Sequence, residues 1–152
     1  MTASTTRTYT IREVAALTGL PASTLRYYET IGLIEPVSRG ASSGHRVYDE
    51  SDMDRLTGVA CLAAIGLSID DMRAYVANSR LGSDGAREQI EMLTEHSARL
   101  AREAEYLELR RTYVGLKTDY WRAVEAGDQA RAEEIGEQAH ALAERIRSRE
   151  SQ

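Results

Sequence analysis

The chain has 152 residues, 42% apolar and 28% charged, with a formal net charge of −5; this is a globular rather than a disordered composition, and the total charge disfavours a polyanionic partner. No run approaches the roughly 20 apolar residues of a membrane span, and the N-terminus lacks the apolar core of a signal peptide, so a cytoplasmic protein with no membrane partner is expected. Cys61 is the only cysteine, and His45, His96 and His140 stand far apart; an internal disulfide and a thiolate cluster within one chain are excluded, and no metal and no cofactor is expected.

The total charge hides an asymmetry. Up to Tyr48, five arginines face three acids, giving +2, whereas the remainder carries fourteen basic and twenty-one acidic residues, giving −7. Such a split marks the N-terminal third as the candidate polyanion-facing part.

Thr10 followed by Glu13 matches a capping box, Ile11, Val14 and Leu17 share a face, and Gly19 punctuates the end, so a first helix is predicted over residues 11–18. Pro21 is tolerated in the first turn of a second helix, predicted over 22–31 and stopped by Gly32. Two helices this short, joined by a tight turn, form a helix-turn-helix. Successive helical residues are about 100° apart. Leu25 and Tyr28 therefore share a face that closes onto the first helix, while Ser23, Arg26, Tyr27 and Thr30 cluster on another. That second face offers a guanidinium, a phenol and hydroxyls, which contact phosphates and base edges. An ordinary solvated face is the competing reading.

The stretch VSRGASSGHRVY, Val37 to Tyr48, reads as a two-stranded ribbon with a basic tip, a wing that places Arg39, His45 and Arg46 beside the second helix. Ser51 is predicted to cap a third helix carrying Met53, Leu56, Val59, Ala60 and Ala63 and ending at Gly66. Ser68, with Asp71 three residues later, is predicted to cap a fourth with Ile69, Met72, Tyr75 and Val76. The glycines and polar residues of RLGSDGA then mark a boundary.

Beyond it, Ile90, Leu93, Leu100, Leu107, Val114 and Trp121 line one long helix, and from Leu93 onward they repeat every seven residues, the seam of a coiled coil. Ser97, Arg111 and Thr118 weaken that seam. A last helix after Gly127 and Asp128, with Ile135, Ala139, Leu142 and Ile146, is expected to supply cover. Tyr106, Tyr113 and Tyr120 form a second stripe, read as packing against the last helix or as an effector pocket. His96 and His140 are expected on the surface. The fold class is mainly α, with domains over 9–78 and 86–125, a linker over 79–85, and a C-terminal helix over 128–148.

YTIREVAALTGL, TLRYYETIGLIEP and GHRVY together resemble the winged helix-turn-helix of the MerR family of bacterial transcription regulators over roughly residues 9–78, and the long helix resembles that family's antiparallel dimerisation helix. The resemblance implies a homodimer on double-stranded promoter DNA, binding a pseudo-palindrome in an overlong spacer. It also implies that an effector makes the protein distort the duplex so that RNA polymerase engages both promoter elements. Ser23, Thr24, Arg26 and Tyr27 would dock in the major groove and Arg46 and Tyr48 would grip phosphates, with Thr10, Arg12, Arg39, Gly44 and His45 as further DNA contacts. His45 stands where the family often has an aromatic residue.

VACLAAIGLSIDDMRAYV and LKTDYWRAVEAGD look like the aldehyde- and thiol-stress-responsive branch, of AdhR and NmlR type, in which a lone cysteine precedes the glycine between the third and fourth helices; Cys61 and Gly66 have that spacing. Cys61 then has two readings, as sensor for an electrophile or as a small buried hydrophobe. Arg55 and Arg73 are the nearest candidates in sequence to stabilise its thiolate. A reversible small-molecule effector is the other form of signal. Two other functional classes compete: a sensorless architectural or recombination-accessory DNA-binding protein, and an enzyme. The enzyme is not expected, because no acid/base pair, activated nucleophile or phosphate loop stands at usable spacing.

Overall fold

The computed structural model describes residues 6–151, which divide into two compact units, one ending at Met92 and one beginning at Leu93. In chain order the elements are α1 (Ile11–Thr18), α2 (Ala22–Thr30), β1 (Ser38–Arg39), β2 (Arg46–Val47), α3 (Glu50–Ala64), α4 (Ile69–Ser79), a 3-10 turn (Gly82–Gly85), α5 (Ala86–Glu125) and α6 (Gln129–Glu150). A mainly helical chain with a two-stranded wing and one long helix is the architecture expected.

In the first unit local chemistry sets the helix starts. The Thr10 hydroxyl accepts from the Glu13 N–H at 3.3 Å while the Glu13 carboxylate accepts from the Thr10 N–H at 2.7 Å, the reciprocal box that satisfies two otherwise orphaned donors. Gly19 ends α1 with φ +74°, a left-handed conformation that costs glycine little. Pro21 stands just before α2, at its N-cap, rather than inside its first turn. Helix α3 starts earlier than expected. Asp49, not Ser51, is its cap, bonded reciprocally with Asp52, and the Ser51 hydroxyl donates to the Asp49 carboxylate instead. Ser68 caps α4 as expected, accepting from the Asp71 N–H.

Helix α1 packs on α2 and α3, and α3 on α4. The shared core includes Val14, Leu25, Tyr28, Leu33, Tyr48, Leu56, Val59, Leu62 and Met72. Each large apolar side chain fully buried there contributes about 1.5–3 kcal/mol, which fixes α2 by Leu25 and Tyr28 and leaves its other face to solvent. The expected linker contains the 3-10 turn, and Gln89 Nε2 donates to the Tyr75 carbonyl at 2.9 Å, fastening the start of α5 to α4.

In the second unit α5 and α6 run antiparallel. The pairs Glu105 with Arg149, Tyr106 with Glu150, and Tyr120 with Gly136 fix the register, and Leu116, Tyr120, Ala123, Ala132 and Ile135 form its core. The tyrosine stripe thus meets the last helix at Tyr106 and Tyr120. The heptad seam does not: Leu93, Leu100, Leu107, Val114 and Trp121 are 38–63% exposed, and Ile90, in the first unit, is 64% exposed. The expected cover of the seam by the last helix is corrected here. Tyr106, Tyr113 and Tyr120 each precede a seam residue by one position, about 100° around the helix, so α6 seated on one stripe leaves the other open. His96, expected on the surface, is buried, 5% exposed.

Candidate nucleic-acid interface

Helix α2 buries Leu25 and Tyr28 and exposes Ser23, Arg26 and Tyr27, with Thr24 half-buried. The Thr30 hydroxyl is used within the helix, donating to the Arg26 carbonyl at 2.9 Å. The wing pairs β1 with β2 in antiparallel register, Ser38 opposite Val47 and Arg39 opposite Arg46. Gly44 turns its tip at φ +67°, and its carbonyl accepts from Arg39 Nη1 at 3.3 Å.

Arg39 and Arg46 facing each other across a ladder is an unfavourable like-charge pair. One compensation is internal. Arg46 Nε donates to Glu29 Oε2 at 2.7 Å, joining the wing to the last turn of α2, with both side chains less than one-fifth exposed. No sequence spacing relates positions 29 and 46, so this partner was missed from the sequence.

Thr10, Arg12, Arg26, Arg39, His45 and Arg46 line one cleft of about 390 Å³. Residues from the start of α1, from α2 and from both sides of the wing are thereby gathered into a basic depression, whose potential favours an anion. Ser23, Thr24, Tyr27 and Gly44 lie outside its lining. Tyr48 departs from expectation. Its backbone exchanges hydrogen bonds with Tyr9, at 2.8 and 3.0 Å, and its ring is wholly buried, so it is a core residue and not an exposed phosphate contact. Its hydroxyl is buried with no hydrogen-bond partner among the described residues. Burial pushes the phenol above its ordinary value, against the pull of the nearby Arg46 guanidinium.

A second cleft, of about 580 Å³, is lined by residues including Ile34, Glu35, Arg55, Cys61, Val76 and Arg80. Cys61 is exposed, which corrects its reading as a buried hydrophobe. The period of α3 explains it: Leu56, Val59 and Leu62 recur at three-residue steps on the core side, and Cys61 lies off that face. Glu35 accepts from Arg55 and from Arg80, both at 3.2 Å, and Arg73 donates to the Ile31 carbonyl at 2.6 Å. Each arginine expected near the thiol thus has another partner, Arg73 at the Ile31 carbonyl and Arg55 at Glu35 within the cleft that Cys61 also lines. Among the described residues no group of three or more His, Cys, Asp or Glu is placed to hold a metal, and no helix is long and apolar enough to cross a membrane.

The family model for the MerR HTH family of regulatory proteins matches residues 9–79. The chain is 39% identical over 90 residues to the HTH-type transcriptional regulator AdhR of Bacillus subtilis, a match covering 59% of this chain and 64% of that one, just under two thirds. It is 33% identical over 100 residues to the HTH-type regulator YyaN of the same organism, covering 58% of this chain and 72% of the relative. Among solved structures it resembles HiNmlR, a MerR family regulator lacking the sensor domain and bound to promoter DNA, with TM-score 0.62 and 25% identity over 85% of this chain and 96% of that one.

Proposed function

The chain belongs to the MerR family of DNA-binding transcription regulators, which are not enzymes, and from that premise we propose that it binds a pseudo-palindromic promoter spacer as a homodimer and distorts it to control transcription. The observation that carries this reading is the basic cleft between α2 and the wing, where Arg12, Arg26, Arg39, His45 and Arg46 converge. Phosphate contacts from Thr10, Arg12, Arg39, His45 and Arg46 set the register, while Ser23, Thr24, Arg26 and Tyr27 read the major groove from α2 and the glycine turn at Gly44 lets the wing tip approach the backbone. In this reading residues 9–78 read DNA, 79–85 connect, 86–125 pair two protomers and 128–148 brace the pairing helix.

The exposed heptad seam supports the dimer. A row of Leu93, Leu100, Leu107, Val114 and Trp121 open to water is the surface a second copy removes from water. Two linked readers then hold the duplex at two half-sites, and contacts of this kind offset a bending cost of order 1–6 kcal/mol. RNA polymerase is the partner that engages the remodelled promoter, in the cytoplasm. Exposed Cys61 beside its own cleft supports response to an electrophile or other small effector over the sensorless architectural alternative.

Footprinting on a duplex selected from a random-sequence pool tests the reading. Protection of two symmetric half-sites about one helical turn, roughly 34–36 Å, apart is expected. Protection spread over many unrelated sites would instead support the architectural protein.

A further inference from the structure

The most enclosed side-chain ion pair among the described residues joins Glu29, at the end of the DNA-reading helix, to Arg46 in the wing; their side chains are 13% and 17% exposed, while each member of the other pairs is at least 43% exposed. A carboxylate beside a basic cleft is an anomaly if the cleft takes a phosphate. Like charges at short range in a partly enclosed site repel far more than they do in bulk water. Something must compensate for keeping it there.

The geometry of the pair supplies the reason. An arginine offers five donors in a rigid fork. Glu29 occupies Nε, and Nη1 and Nη2 of Arg46 have no hydrogen-bond partner among the described residues, while Arg46 itself lines the cleft. Arg39 stands opposite Arg46 in the ribbon, so without Glu29 the two guanidiniums repel and Arg46 is free to turn away.

From this we infer that Glu29 is a positioning residue for DNA binding, holding the Arg46 guanidinium by Nε so that its two Nη groups meet a backbone phosphate of the duplex. The inference rests on the proposed reading of the cleft as a DNA site. It assigns to an acid on the DNA-reading helix a favourable role in binding a polyanion. The rotamer freedom of Arg46 is then restricted before DNA arrives, as preorganisation requires.

The test measures affinity of the full-length chain for the selected duplex across a salt series, with thermal melting to establish that each variant is folded. Arg46→Ala and Glu29→Ala are each expected to weaken binding roughly tenfold, the scale of one charge-assisted hydrogen bond, and to flatten the log K against log salt slope by about 0.9, one phosphate. The double variant is expected to bind no more weakly than Arg46→Ala, and Glu29→Gln, which still accepts from Nε, to retain the slope. If Arg46→Ala loses affinity but Glu29→Ala binds as well as or more tightly than wild type, Glu29 only repels DNA and the positioning role is overturned. If Arg46→Ala itself changes neither affinity nor slope, the assignment of Arg46 to a phosphate falls, and the positioning role with it. Should Glu29→Ala fail to fold, Glu29→Gln decides: a retained slope supports positioning, and a slope flattened like that of Arg46→Ala overturns it.

Discussion

Tyr9 and Tyr48 form an isolated antiparallel bridge, each N–H donating to the other's carbonyl, at 2.8 and 3.0 Å. The bridge ties the segment before α1 to the end of the wing and leaves the Tyr48 ring in the core with its hydroxyl unpartnered. An unsatisfied buried hydroxyl costs about 1–3 kcal/mol. Tyr48→Phe is therefore expected to melt at or above the wild-type temperature in differential scanning calorimetry. A clear drop in melting temperature would show that the hydroxyl has a partner.

The same residue makes a pH prediction. Its phenol is raised above the ordinary tyrosine value of 10.0 by burial, so the folded state holds that proton more tightly than the unfolded chain does. The resulting stability is complete below the unfolded pKa and is lost as pH rises through the folded one. Alkaline unfolding above about pH 10 should be less steep in Tyr48→Phe than in wild type; identical pH profiles would contradict the assignment.

The seam predicts oligomeric state. Replacing Leu100 and Leu107 by glutamate should yield monomers in sedimentation velocity and abolish operator retention, because two half-sites need two linked readers. Single Leu→Ala changes, at about 2–5 kcal/mol each if buried in the dimer, should shift the monomer–dimer midpoint. A double-glutamate variant that still sediments as a dimer would refute pairing through this stripe.

Cys61 is accessible, so iodoacetamide should add one adduct to the native protein; a native thiol that resists alkylation would contradict its exposure. Cys61→Ser is expected to keep its DNA affinity and to lose induction by electrophiles in a reporter strain. Full induction of that variant would remove Cys61 from sensing and favour a reversible small-molecule effector.

What the sequence disclosed was governed by range. Thr10, Glu13 and Gly19 act within a single turn of their helix, and they placed α1 over the residues observed. Ser51 was read as the cap of α3, but Asp49, two residues earlier, takes the position, immediately after Tyr48, which Tyr9 pins. The periodicity of α5 disclosed two stripes but not which one α6 would cover. The family resemblance implied that Tyr48 and Arg46 both grip phosphates, and the two-residue strands of the wing are too short for alternation to show a buried face. Their surroundings come from Tyr9 and Glu29, 39 and 17 positions away.

If α2 and the wing read DNA through one basic cleft, Arg26, the α2 arginine within it, is the residue on which specificity turns. The most direct measurement is a fluorescence anisotropy titration of wild type and Arg26→Ala against the selected duplex and a scrambled one. Specific affinity ordinarily exceeds non-specific by a factor of about 10³–10⁷. Arg26→Ala is expected to lose most of that ratio while its weak, salt-sensitive binding to the scrambled duplex persists; equal affinity of the two proteins for the selected duplex would contradict a reading role for this cleft.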